Sequence, residues 1–188
     1  QPGDEDDYFQ SSLFTIARRR ILWLLILVLA NGLTTKVIAM NDQILKEVVL
    51  LAAFIPLLIG TGGNVGAQSS TVVIRGLSTQ KIKSLGAIKA VVKEAITGAL
   101  LGILMMIVVL PFAWWQGEGP LIAYAVGISL ISITTLAATT GAILPLLFDR
   151  MRLDPALMSS PFITTVTDIA GVFIYLSTAN WLLTSSLS

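Results

Sequence analysis

The sequence predicts an all-α integral membrane protein with five transmembrane helices per protomer, and three observations carry that reading. The 188 residues are 55% hydrophobic and only 12% charged, with a mean hydropathy of +0.85, whereas a soluble domain carries about 25% charged residues. Apolar runs of the ~20 residues that cross a bilayer as a helix recur along the chain. Basic residues are confined almost entirely to alternate connecting segments, as in multi-pass membrane proteins.

Residues 1–20 open with the acidic cluster Asp4, Glu5, Asp6 and Asp7 and close with Arg18, Arg19 and Arg20. Asp7–Arg20 reads as a short, partly amphipathic helix before the membrane. An acidic start with no small-residue cleavage site does not fit a signal peptide, and the missing initial Met fits a piece of a longer protein. Residues 21–188 form the membrane domain. Its first span is Ile21–Met40, softened at Asn31-Gly32, followed by a short loop with Asp42, Lys46 and Glu47. A second apolar run begins near Ile44 and enters GTGGNVGAQSSTVVIRGL, Gly60–Leu77.

After the basic loop Ser78–Lys93, the third span is Ala95–Trp115. Its Gly98-x-x-x-Gly102 suits a close helix contact. Trp114 and Trp115 belong at headgroup depth, and Gln116–Pro120 turns the chain. The fourth span, Leu121–Leu147, is rich in small and hydroxyl residues (Thr134, Thr135, Thr139, Thr140, Gly141), and the fifth is Pro161–Trp181. With the N-terminus cytoplasmic, Arg18, Arg19, Arg20, Arg75, Lys81, Lys83, Lys89, Lys93, Arg150 and Arg152 lie inside and only Lys36 and Lys46 outside. The C-terminus is then external. No internal repeat is evident, and an odd number of spans argues against a simple duplicated transporter.

The composition narrows the chemistry. The chain has no Cys and no His, which excludes disulfides, thiolate metal centres, imidazole ligands and histidine acid–base catalysis. A bound metal would be held by oxygen, the chemistry of magnesium, calcium or manganese. One acid stands out. Asp168 lies deep inside the fifth span, where a carboxylate costs at least ~2.5–3.5 kcal/mol unless it faces protein, water or a cation. At helical spacing Pro161, Thr164, Thr165, Gly171, Tyr175 and Thr178 share its side, a polar, small-residue stripe suited to a cation path. The plainer reading is a structural carboxylate bonded to Thr164 or to a lysine.

The second informative stretch is Gly60-Thr61-Gly62-Gly63-Asn64-Val65-Gly66-Ala67-Gln68. Each glycine costs about 1 kcal/mol relative to Ala in a helix, so the cluster serves either close packing or an unwound segment lining a cavity. Asn64 and Gln68, spaced i, i+4, can face one cavity. Packing alone, with Pro56 as a simple kink, is the plainer alternative. No Lys-Ser/Thr follows the glycines, so a P-loop fails. Glu94 reads as interfacial and Asp154 as a helix N-cap. The Lys81–Lys93 run reads as a topology determinant in contact with lipid headgroups, and nothing beyond charge supports nucleic-acid binding.

PLLIGTGGNVGAQSSTVVIRGL (Pro56–Leu77), then a basic loop with Lys93-Glu94, then DPALMSSPFITTVTDIAGVFIY (Asp154–Tyr175) resembles the membrane domain of the MgtE family of magnesium channels. The resemblance covers the chain from about Arg20 onward. It implies a homodimer with the pore at the two-fold axis, lined by the second and fifth helices. Asp168 matches the aspartate that recognises the ion, joined at the metal site by Asn64, Gly63 and Thr164. Gly62, Gly66, Gln68, Thr165 and Gly171 are the implied pore-lining residues. The cargo is magnesium, with manganese, cobalt, nickel and calcium as candidates for the same site. The setting is the bacterial inner membrane. The family's cytosolic N-terminal domain and paired CBS domains have no counterpart in this sequence, so Asp4–Arg20 resembles the end of their connecting helix. The rival functions are a coupled cation/proton exchanger, a lipid-headgroup enzyme, for which no convincing catalytic set is present, and a membrane scaffold.

Overall fold

The computed structural model describes residues 12–115 and 120–185, and these are helical almost throughout. The helices are α1 (Leu13–Met40), α2 (Asp42–Glu47), α3 (Leu50–Ser78), α4 (Lys81–Leu85), α5 (Ala87–Trp115), α6 (Pro120–Arg150) and α7 (Pro155–Ser185). The acidic start of the chain and the turn at residues 116–119 lie outside the described residues.

Among the described residues, four helices are long and apolar enough to cross a membrane: Leu50–Ser78, Ala87–Trp115, Pro120–Arg150 and Pro161–Thr184. The described apolar part of α1, Leu27–Met40, is shorter. The boundary expected near Arg20 is not a break, because α1 runs unbroken from Leu13 to Met40. The sequence there contains no proline, and Asn31-Gly32 weakens a helix without stopping it. The glycine cluster of α3 is likewise fully helical rather than unwound, and Gly62 and Gly66 within it pack against other helices. Gly86, at φ +91°, joins α4 to α5 in a conformation that L side chains rarely adopt.

The helices alternate in direction. The end of α1 and the end of α7 line one cavity through Met40, Asn41, Asn180 and Thr184. At the opposite end, Arg150 of α6 lines a second cavity with Ala87 and Ile88 at the start of α5. Arg75, Lys81, Lys89, Lys93, Arg150 and Arg152 therefore gather at one end of the bundle, with Lys36 and Lys46 toward the other.

α6 is the central helix. In its most apolar window 61% of residues are buried, against 17% for α5. α6 packs against α3, α5 and α7 at once, which its small residues permit. α5 touches it through Gly98 and Gly102: a Cβ on Gly98 would lie 2.5 Å from the Thr134 carbonyl oxygen, and one on Gly102 would lie 2.5 Å from Ile131 Cα. The outward face of α5 is large and apolar, with Ile88, Val92, Ile96, Leu100, Leu104 and Val108 exposed, as suits lipid contact.

Three threonine hydroxyls of α6 are used within the helix. Thr134 donates to the Leu130 carbonyl at 2.8 Å, Thr135 to Ile131 at 2.6 Å and Thr139 to Thr135 at 2.6 Å, which satisfies them within the helix where water is absent.

The Gly102 contact makes a stability prediction. Gly102→Leu must force Ile131 and Thr134 away at an overpacking cost of about 1–3 kcal/mol, so its thermal unfolding midpoint in detergent falls. Gly32→Ala, where nothing lies within 4 Å of an added Cβ, leaves that midpoint unchanged or slightly raised. Equal behaviour of the two variants would remove the contact from the account.

Candidate functional site

α3 and α7 cross as antiparallel neighbours, and their glycines set the distance. A Cβ on Gly62 would lie 2.5 Å from Thr167 Cγ2 and 2.7 Å from Ile133 Cγ2, and one on Gly66 would lie 2.5 Å from Ile163 Cγ2. A Cβ on Gly63 would lie 4.0 Å from the Thr164 methyl. Toward the end opposite the basic cluster, the Tyr175 hydroxyl donates to the Leu51 carbonyl at 3.1 Å, with Tyr175 fully buried. That register places Asp168 level with Gly60, which is exposed and has open space beside its Cα.

Asp168 is half-buried. Among the described residues none hydrogen-bonds or ion-pairs with its carboxylate. The Thr164 hydroxyl donates to the Pro161 carbonyl at 3.0 Å, and the salt bridge found, Lys46 with Asp42, lies toward the other end of the bundle. The structural-carboxylate reading, which needed Thr164 or a lysine, thus has no partner among the described residues. An uncompensated charge within a membrane-spanning helix is costly unless water, a cation or a second chain meets it.

The sequence-predicted residues divide into two groups. Asp168, Thr164, Thr165 and Gly63 are half-buried, while Asn64 and Gln68 are exposed on the face of α3 that also carries Gly60, Thr71 and Arg75. Gly62, Gly66 and Gly171 are buried in helix contacts, and a Cβ on Gly171 would lie 3.6 Å from Ile133. They bring α3 and α6 up to α7. The polar stripe of α7 also turns inward at Gly171 and Tyr175.

Sequence reasoning missed the burial of Thr167 and the bond from Tyr175 to α3. Tyr175 stood on the Asp168 side of the helix, but which neighbour would receive its hydroxyl was not written in the local pattern. No group of three or more acidic residues that could hold a metal occurs among the described residues, so one chain offers a single carboxylate with neutral oxygen acceptors beside it. That donor set suits a cation that keeps much of its water.

Residues 55–178 match the family MgtE, divalent cation transporter. The chain is 39% identical over 164 residues to the magnesium transporter MgtE of Thermus thermophilus, 34% over 168 residues to that of Enterococcus faecalis and 32% over 176 residues to that of Bacillus subtilis. These matches cover 87%, 87% and 93% of this chain but 36%, 36% and 39% of the relatives. The chain therefore spans a little over a third of the length of the curated relatives it matches.

Tyr175→Phe tests the α3–α7 register. Losing the hydroxyl removes one net hydrogen bond, about 1 kcal/mol, and lowers the unfolding midpoint in detergent while the helix content measured by circular dichroism stays constant. An unchanged midpoint would mean that the bond does not tie the two helices.

Proposed function

The chain belongs to the MgtE family of divalent cation transporters, and from that premise we propose that it is the pore domain of a magnesium channel in which Asp168 recognises the ion. The observation that carries the proposal is the half-buried Asp168 carboxylate, without a partner among the described residues, within a helix long and apolar enough to span a membrane.

Magnesium gives up its water reluctantly and usually retains several of its six waters. A path for it needs outer-shell acceptors and net negative charge rather than a tight protein cage. In this reading two copies of the chain pair across a two-fold axis with α3 and α7 lining the path. The two Asp168 carboxylates then face the doubly charged ion, as rings of carboxylates do in cation channels. Asn64, Gln68, Thr164, Thr165 and the Gly63 carbonyl accept hydrogen bonds from its water. Pairing of copies also covers the exposed polar stripe Gly60-Asn64-Gln68-Thr71, which lipid would solvate poorly.

α1 completes a five-span protomer. The basic end of the bundle faces the cytoplasm of the bacterial inner membrane, with the N-terminus inside. Flux is passive, driven by the concentration gradient and the membrane potential. The regulatory domains of the full-length protein act from the cytoplasmic side.

Magnesium uptake into proteoliposomes, compared between the wild type and Asp168→Asn, tests the site. Loss of a charge-assisted contact weakens binding by about tenfold to a hundredfold, so flux collapses in the variant while the dimer persists. Undiminished flux would move the site elsewhere, and flux that requires a proton gradient would make the protein an exchanger. Calorimetric binding to the detergent-purified protein reads the same site when the path is shut.

Protonating Asp168 removes the charge that holds the ion. Affinity therefore falls as the pH is lowered toward the range in which carboxylates protonate, and an affinity independent of pH would count against the assignment.

A further inference from the structure

The basic end of the bundle contains a cavity that the ion path does not use. It has a volume of about 370 Å³ and lies where α3, α4 and α5 meet. Arg75, Lys81 and Lys93 line it together with one acid, Glu94, over a floor that includes Val73 and Ile82. Its shape comes from α4. Ile82 is buried with its Cδ1 against Gly76, where an added Cβ would meet it at 2.8 Å. That contact pins the five-residue helix across the end of α3 between Gln80 (φ 60°) and Gly86 (φ 91°).

With the midpoint of α3 at the bilayer centre, the cavity falls in the headgroup layer. Arg75 lies about 16 Å beyond the midpoint of α3 at 1.5 Å rise per residue, and the hydrocarbon half-thickness is about 15 Å. Among the described residues, neither the Arg75 guanidinium nor the Lys93 ammonium has a hydrogen bond or ion pair. The Thr79 hydroxyl is occupied, donating to the Arg75 carbonyl at 2.8 Å. Val72 and Leu85 remain exposed at the rim.

We propose that this cavity is a binding site for the headgroup of an anionic phospholipid, of which phosphatidylglycerol is the type. The phosphodiester lies between Arg75 and Lys93, and Arg presents a planar donor fork suited to phosphate oxygens. Glu94 accepts hydrogen bonds from the glycerol hydroxyls, and the acyl chains descend past Val72 and Leu85 into the bilayer. Basic pockets between membrane helices recognise anionic headgroups in this way. Three bases against one acid favour a lipid of net negative charge over a zwitterionic one. Bound there, the lipid ties α4 and α5 to the end of α3.

The test is titration of the purified protein in neutral-detergent micelles with phosphatidylglycerol, phosphatidylethanolamine or phosphatidylcholine. Binding is read by native mass spectrometry and by the thermal midpoint. Phosphatidylglycerol is expected to bind saturably and to raise the midpoint, and soluble glycerol phosphate is expected to do neither. Removing both charges in Arg75→Gln/Lys93→Gln weakens retention by about fivefold per charge, roughly thirtyfold together. Lys89→Gln/Arg152→Gln makes the same charge change at the same end of the bundle but outside the cavity, and should keep retention within about twofold of the wild type. Arg75→Lys, which preserves charge and fold, retains most of the binding. Equal losses in the two double variants would reduce the site to a diffuse field. Equal binding of a zwitterionic lipid would refute anionic selectivity, and stabilisation by glycerol phosphate would identify a free-phosphate site instead.

Discussion

Gly66 of α3 and Gly141 of α6 meet so closely that a methyl group on Gly141 would strike the Gly66 carbonyl. The rest of the bundle depends on this approach. Lipid is as apolar as the helices, so no hydrophobic gradient presses them together; packing, hydrogen bonds and lipid entropy do that, and small residues permit it. With α3 on α6 through these glycines, Gly62 and Gly66 present no side chain to Ile133, Thr167 and Ile163, and α7 can close the three-helix contact. Tyr175 then ties the far end of α7 to Leu51. The orientation of α7 follows, and with it the direction of Asp168.

Polar groups in this protein follow two rules. Hydroxyls along the spans are spent locally, Thr134, Thr135, Thr139, Thr167 and Thr178 each donating to a carbonyl one turn back. Each of these five hydroxyls thereby meets its hydrogen bond within its own helix. Asp168 follows the opposite rule, with no protein partner among the described residues. The contrast with these threonines supports the ion-binding role proposed for Asp168, although the buried Thr34 and Ser129 hydroxyls also lack a hydrogen-bond partner among the described residues.

The two ends of the bundle differ as well. At one end Arg75, Lys81 and Lys93 surround a cavity under a short clamping helix. At the other, neutral amides of Asn41, Gln43 and Asn180 line a comparable opening. In the proposed orientation the basic end meets the cytoplasmic headgroups.

Helix content and membrane class were legible because apolar length and missing charge need no partner to be read. The basic loop, the Gly98/Gly102 contact and the depth of Asp168 were legible for the same reason: each is a property of one segment. The central position of α6, the burial of Thr167 and the role of Gly62, Gly66 and Gly171 as contacts were not. Neither was the continuity of α1 through Arg20. The sequence alone determined which segments are helices, where the charge gathers and which family pattern they carry. Only the tertiary structure decided which face of each helix turns inward. In a bilayer either face of an apolar helix is equally well solvated, so the choice falls to steric fit against small residues on other helices, which no local pattern records.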